Sequence, residues 1–365
     1  MYANQRLTSF DPADHPASNL EWWYSYAFLT GSLGNHYALA VSFFRVGEVP
    51  LLKGHYLIYS LVRLREGKVE TRSLLDRSLT KHMIVLYLPL YLLMNPGDRM
   101  IRQQYEELLK GNMPEPHVLL THASVQSSPT RLHYGNSQFI FEEKPEPHYQ
   151  LHITDPSFQI RLKFRPLKPV SSIDEEGALN RFRYYSITRN QVFGELQQSG
   201  MTETLTGEGW IDHQWGRNYG LISGMGWDWF GLQLEDGREL LISRLRPAHS
   251  GSPDNPIAKL IAADGAIATT EKVSLQPLKY WRSIYSGARY PVEWDISLPD
   301  FAMNLHVAPL LNHQEIAIIG PLKAIWEGAC SVTGESLSPQ GIRAAINGKG
   351  FTELVGYASV TSKNE

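Results

Sequence analysis

An all-β fold built from antiparallel sheets is predicted by three observations: apolar residues recur with period two, the runs end at turn-forming pairs, and no strand–helix alternation connects them. Phe158, Ile160, Leu162 and Phe164 alternate with Gln159, Arg161 and Lys163, as a strand with one buried and one wet face requires. Trp294, Ile296 and Leu298 repeat the pattern, as do Phe301, Met303, Leu305 and Val307. Turns are expected at Asp155-Pro156, Glu235-Asp236-Gly237, Pro299-Asp300 and Asn347-Gly348. Many short strands at such spacing close into barrels or sandwiches.

The segment 79–112 breaks this rhythm and reads as a helical insertion. Met83 to Met94 is apolar throughout but contains Pro89, so it is too short to span a bilayer and too interrupted for one straight helix. Asp98 then serves as N-cap for a helix with Met100, Ile101, Tyr105, Leu108 and Leu109 near one face and Gly111 as its stop. A helix pair packed on the β core is one reading. A lid, or a flap resting on a membrane and admitting an oily substrate, is the other.

At 365 residues the chain exceeds the size at which single cores stop growing, so two domains are expected, 1–222 carrying the insertion and 223–365. Glu21-Trp22-Trp23-Tyr24 and Trp227-Asp228-Trp229-Phe230 each set an acid among aromatics ahead of a strand, an echo consistent with internal duplication. A net charge of −3 gives no basic footprint for nucleic acid, and Cys330 alone supports neither a disulfide nor a CxxC metal site. Thirteen histidines form no HxH or HExxH pair, so no metal is expected; the lack of GxGxxG, Walker and GxSxG motifs argues against nucleotide cofactors and serine-hydrolase chemistry. The opening MYANQRLTSFDPADHP has no apolar signal core, and a cytoplasmic location is expected.

Function is sought in Gly207 to Phe230, which holds four of the nine tryptophans. A lipophilic alkene offers little to grip but shape, and its protonation needs an acid kept neutral by burial. Asp228, between Trp227 and Trp229, is the first candidate acid and Asp212 the second, with His213 beside it. Trp215, Trp227, Trp229, Tyr24 and Trp23 would line the substrate and stabilise a developing cation, and Glu21 shares their surroundings. Each has a structural alternative: Asp212 as a turn acceptor, His213 as a satisfied core histidine, Asp228 as the solvent-facing member of an alternating strand.

The runs EWWYSYAFLTG, GWIDHQWG, GWDWFGLQLEDGREL, YWRSIYSGARYPVEWDISLP and GKGFTELVGY together resemble the carotenoid 1,2-hydratase and AttH-like family, over residues 15 to 358 except the insertion. The resemblance implies two lipocalin-like (calycin-like) antiparallel β-barrel domains, with lipocalin-like Diels-Alderases as distant relatives. It further implies that His213 and Trp215 match the hydratases' His-x-Trp motif. The acidic Tyr-x-Asp of the hydratases has no counterpart in ELLISRLR, where Ile242 and Arg244 stand in that neighbourhood.

These readings converge on a cofactor-independent enzyme of lyase or isomerase type that protonates a long isoprenoid or polyene, with hydration or cyclisation following. A pericyclase folding a linear polyene and a non-catalytic carrier of a lipophilic ligand are the alternatives. The expected partner is a hydrophobic small molecule, with peripheral membrane contact through 79–112.

Overall fold

The computed structural model describes residues 12–49, 52–174, 182–217, 226–246, 256–337 and 343–358. Two curled antiparallel sheets, each a half-barrel, carry the fold. The first contains β1 (Leu20–Gly31), β2 (His36–Val46), β3 (Gly54–Arg63), β4 (Lys68–Leu75), β5 (Val118–Leu119), β6 (Ala123–Ser127), β7 (Thr130–Tyr134), β8 (Ser137–Glu142), β9 (His148–Thr154), β10 (Gln159–Pro166), β11 (Ser171–Asp174), β12 (Phe182–Gln198) and β13 (Met201–Gly216). Their order is β5-β4-β3-β2-β1-β13-β12-β10-β9-β8-β7-β6, with β11 beside β12 and a short parallel bridge between β4 and β5.

The second sheet contains β14 (Gly226–Leu234), β15 (Glu239–Arg246), β16 (Ile257–Ile261), β17 (Ile267–Thr270), β18 (Ser274–Arg282), β19 (Arg289–Leu298), β20 (Met303–Pro309), β21 (Glu315–Ala317), β22 (Ala324–Leu337) and β23 (Arg343–Val355). Its order is β17-β16-β15-β14-β23-β22-β20-β19-β18, with β21 beside β22. In both sheets the first strand lies between the second strand and the last, so EWWY in β1 and WDWF in β14 occupy corresponding places. The chain forms two compact units, Met1–Leu90 with Gln103–Asn218, and Tyr91–Arg102 with Tyr219–Glu365. The expected boundary at 222/223 lies outside the described residues.

Strands with one wet face follow the predicted alternation. In β10 Ile160, Leu162 and Phe164 are buried while Arg161 is exposed, and in β19 Trp294, Ile296 and Leu298 are buried. The turns at Asp155-Pro156, Glu235-Asp236-Gly237 and Pro299-Asp300 separate paired strands, with Gly237 at φ +85°. The fourth expected turn is absent. Asn347 and Gly348 sit inside β23, and a Cβ at Gly348 would come within 2.5 Å of the Gln233 carbonyl oxygen, so this glycine serves close strand approach rather than reversal.

The insertion is helical from Arg77, two residues before the expected start, because Asp76 caps it through a 2.7 Å bond from the Leu79 amide to its carboxylate. Helix α1 (Arg77–His82) runs through a π-helical turn, Met83–Tyr87, into α2 (Leu88–Met94). Helix α3 (Arg99–Leu109) is capped by Asp98, which accepts from the Ile101 amide at 3.2 Å, from Tyr91 at 2.9 Å and from Lys323 Nζ at 2.9 Å. Its buried face is Ile101, Gln104 and Leu108; Leu109, expected on that face, is 57% exposed, since it lies about 100° around the helix from Leu108. Helix α1 packs on β3 where Gly54 leaves room: a Cβ there would lie 2.7 Å from the Leu79 Cα and 2.8 Å from its amide nitrogen. Gly54→Ala is therefore expected to destabilise the protein by about 1–3 kcal/mol, read as a lowered urea midpoint; an unchanged midpoint would contradict this packing.

Candidate functional site

The ladder register assembles the site. Across β2, β1, β13 and β12 one row on the inner face is Phe43, Trp23, His213 and Tyr185, and the next is Arg45, Glu21, Trp215 and Arg183. Glu21 and His213 are thus diagonal neighbours despite 192 residues of separation, and His213 Nε2 lies 2.9 Å from Glu21 Oε1. The segment preceding β1 adds His15, whose Nδ1 is also 2.9 Å from Glu21 Oε1 and whose amide donates to both carboxylate oxygens at 3.0 Å. On the far side of His213, Nδ1 meets the Tyr185 hydroxyl at 3.1 Å.

Aromatic rings enclose this line. Trp23 stacks on His213 at 4.7 Å, Trp215 lies tilted against it at 4.7 Å, and His15 stacks on Trp215 at 4.0 Å. His213 is fully buried, whereas His15 and Trp215 reach the surface in part. Burial pushes the Glu21 carboxyl up, but hydrogen bonds from His15 and His213 and the charge of His213 outweigh it and bring the pKa down to about 2. Glu21 is accordingly a carboxylate throughout the physiological range, able to orient His213 and to stabilise it as imidazolium. Arg45 stands 3.8 Å from Glu21 and is itself paired with Asp14.

Strand alternation sends Asp212 to the opposite face of β13, with Tyr24 opposite it on β1. There it accepts from Tyr184 at 2.7 Å and from Ser186 and Trp210 at 2.5 Å. Burial raises its pKa to about 7 against the pull of those three neutral donors. The turn-acceptor alternative does not describe it, since it lies mid-strand.

Asp228 belongs to the second unit, on the inner face of β14, while Trp227 and Trp229 project from the other face. The arrangement is the reverse of a wet acid between inward indoles. Its neighbours are Arg244, which donates from Nε at 2.8 Å and also through Nη2, and the Tyr357 hydroxyl at 2.9 Å. Burial pushes Asp228 up, and the Arg244 and Arg246 guanidinium groups pull it back. Trp227 donates to Glu353 at 3.0 Å.

The predicted residues therefore divide into three places: Glu21, Trp23, His213 and Trp215 together; Asp212 and Tyr24 behind them; Asp228, Trp227 and Trp229 in the other unit. His15, Tyr185, Tyr184 and Ser186 were not singled out by the sequence, because only register brings them in. Sequence spacing offers no metal-ligand pair, but strand register brings ligand atoms of His15, Glu21 and His213 within 4.8 Å of one another. A polar surface cleft of about 360 Å³ at the Asp155–Phe158 and Gln198–Met201 turns lies twelve residues along β13 from His213, and holds none of these groups.

Because the Asp212 pKa rises from 3.8 to about 7 on folding, its contribution is fully present below pH 4 and is lost as pH rises toward 7, by a total on the order of 4 kcal/mol. Asp212→Asn should remove that decline, so the variant gains on wild type between pH 4 and pH 7 in urea titrations; parallel profiles would refute a buried, raised carboxyl.

The AttH-like family profile matches residues 117–357. No curated protein sequence matches significantly. A solved protein described as an AttH from Nitrosomonas europaea shares the fold with a TM-score of 0.70 at 22% identity, covering 94% of each chain. Kievitone hydratase from Nectria haematococca follows at 0.67 and 14%, covering 97% of this chain and 96% of that one. CghA, solved with Sch210972, reaches 0.53 at 12%, covering 93% and 88%. With two thirds of its length matched by the family profile and its fold shared end to end with such a protein, the chain belongs to the AttH-like family.

Proposed function

We propose that this protein is an enzyme of hydratase or cyclase type that transfers a proton to a long hydrophobic isoprenoid or polyene. The observation that carries the reading is the hydrogen-bonded line Glu21–His213–Tyr185 set among indole rings on the inner face of the first sheet. In this reading the Tyr185 hydroxyl gives its proton to a substrate alkene or carbonyl, and the His213 imidazolium replaces it through Nδ1. Glu21 balances the imidazolium charge beforehand, and the faces of Trp23 and Trp215 attract the cationic centre that forms. Capture by water, whose proton returns to the line, completes a hydration; capture by an internal hydroxyl, or by an internal alkene with loss of a proton from the carbon next to the new cation, completes a cyclisation, that proton likewise returning to the line.

The shared fold with a kievitone hydratase supports the hydratase side of this reading, and the proton-transfer steps as written use only side chains of this chain and water. Asp212 is the second candidate acid, being protonated in part near neutral pH. Asp228, held by a guanidinium, is better suited to fixing charge than to donating a proton.

A separate feature bears on delivery. Val85 and Leu93 are 78% and 79% exposed, Leu86, Leu90 and Met94 are exposed beside them, and no charged residue occurs from Met83 to Gly97. We propose that this helical segment rests on a lipid surface; among the described residues no helix is long and apolar enough to cross one. Flotation with lipid vesicles should carry wild type upward and leave a Val85→Ser/Leu93→Ser variant at the bottom; wild type remaining at the bottom would refute it.

Incubation with linear prenyl and polyene compounds in deuterated water tests the chemistry. A product with one new deuterium on carbon is expected, with Tyr185→Phe and His213→Ala each reducing its rate by about 100-fold or more. Loss only in Asp212→Asn would move the acid to the other face of β13. A cyclised product without deuterium would indicate a pericyclic reaction, and an unchanged retained ligand a carrier.

A further inference from the structure

We infer that His15, Glu21 and His213 form a binding site for one divalent transition-metal ion of the zinc class. The cluster has the donor set of such a site, two imidazole nitrogens and a carboxylate oxygen, and the ligand atoms lie within 4.8 Å of one another. Metal–ligand bonds of about 2.0–2.1 Å in a tetrahedron hold ligand atoms about 3.4 Å apart. The two 2.9 Å contacts to Glu21 need to open by about 0.5 Å to reach that spacing, and the two imidazole nitrogens, within 4.8 Å of each other, to close by at most about 1.4 Å.

The surroundings are those of a ligand shell rather than of a chance contact. A ligating histidine carries its proton on the other ring nitrogen and donates it to a fixed oxygen. His213 has that partner already, with Nδ1 3.1 Å from the Tyr185 hydroxyl and the ring clamped between Trp23 and Trp215. The His15 amide, 3.0 Å from both carboxylate oxygens, fixes the orientation of Glu21. The guanidinium beside Glu21, Arg45, is itself paired with Asp14. His15, 21% exposed, provides an approach from solvent to a site whose other two ligands are buried.

This inference shares residues with the proposed proton line but does not depend on it. A bound ion would occupy the Nε2 and Oε1 atoms that link His213 to Glu21, so metal loading and proton transfer compete for the same cluster.

The test is direct metal binding by the full chain without a histidine tag. Titration of metal-free protein with Zn(II) by calorimetry, and with Co(II) by visible absorption, should show one equivalent bound and the intense d–d bands of a four- or five-coordinate ion. His15→Ala and Glu21→Gln should each weaken binding more than about 100-fold, and Tyr185→Phe, as an outer partner, by about 10- to 100-fold. His306→Ala removes a surface histidine paired with Asp295 and Glu293, and should change nothing. No binding to wild type, binding unaltered in both His15→Ala and Glu21→Gln while their thermal unfolding shows them folded, or binding lost in His306→Ala would each overturn the site. These readouts are independent of turnover, so their failure is distinct from failure of the deuterium experiment.

Discussion

Pairing of the first strand with the last is the constraint on which each unit depends. In the first, β1 lies between β2 and β13 along its whole length; in the second, β14 lies between β15 and β23. No local interaction substitutes for this closure, since the partners are separated by most of the unit. The chemistry sits at the same place in the topology. Glu21 near the start of β1 meets His213 near the end of β13, and Asp228 near the start of β14 meets Tyr357 just beyond β23. The candidate site therefore forms only once the unit is complete, and a nascent or locally opened chain has no site at all.

Three buried acids near these junctions show how neighbours, rather than burial alone, set the state of a carboxyl. Burial opposes ionisation in all three. Glu21 overcomes it because two imidazoles and a backbone amide converge on it, and its pKa falls to about 2. Asp212 also receives three hydrogen bonds, but from phenol, hydroxyl and indole, none of which carries charge, and it rises to about 7. Asp228 faces a guanidinium whose own burial depends on that carboxylate, so the two are structurally indispensable to each other. The echo between EWWY and WDWF is thus an echo of position, and the partners brought in by the neighbouring strands give each acid a different chemical use.

The same geometry explains what could be read from the sequence. Strands such as β10 and β19 were legible because one face is wet and the alternation survives in the residues. Strand β1 was not legible in this way, because Trp23 and Ala27 on one face and Tyr24, Tyr26 and Phe28 on the other are all buried. Glu21, His213 and Trp215 stood out through the density of aromatic residues and the His-x-Trp spacing. Tyr185 did not, since its relation to His213 is a register across 28 residues with a bulge between Ile187 and Asn190. His15 precedes the first strand, where no periodicity applies. Whether Asp228 is buried or solvent-facing stays open in the sequence; it is buried, yet the flanking indoles point away, because adjacency in a strand places side chains on opposite faces, and Arg244, sixteen residues on, is its charged neighbour.

Access to the cluster is coupled to its protonation by the same contacts. His213 is tied at both nitrogens and fully buried, and the partly exposed stack of His15 on Trp215 lies between it and solvent. Moving His15 removes two kinds of donor from Glu21 at once, the ring nitrogen and the amide. With those bonds gone, burial is opposed by fewer groups, chiefly His213 and Arg45, and the carboxyl's affinity for a proton rises from the low value of the closed state. In the proposed line, Glu21 would then draw more strongly on the proton it shares with His213, weakening the imidazolium as a donor toward Tyr185. In the proposed reading, transfer is therefore favoured with the stack closed, where exclusion of water raises the worth of every charge in the line. His15 thus stacks on Trp215 at the partly exposed edge of the cluster and also hydrogen-bonds Glu21, the first member of the proposed line.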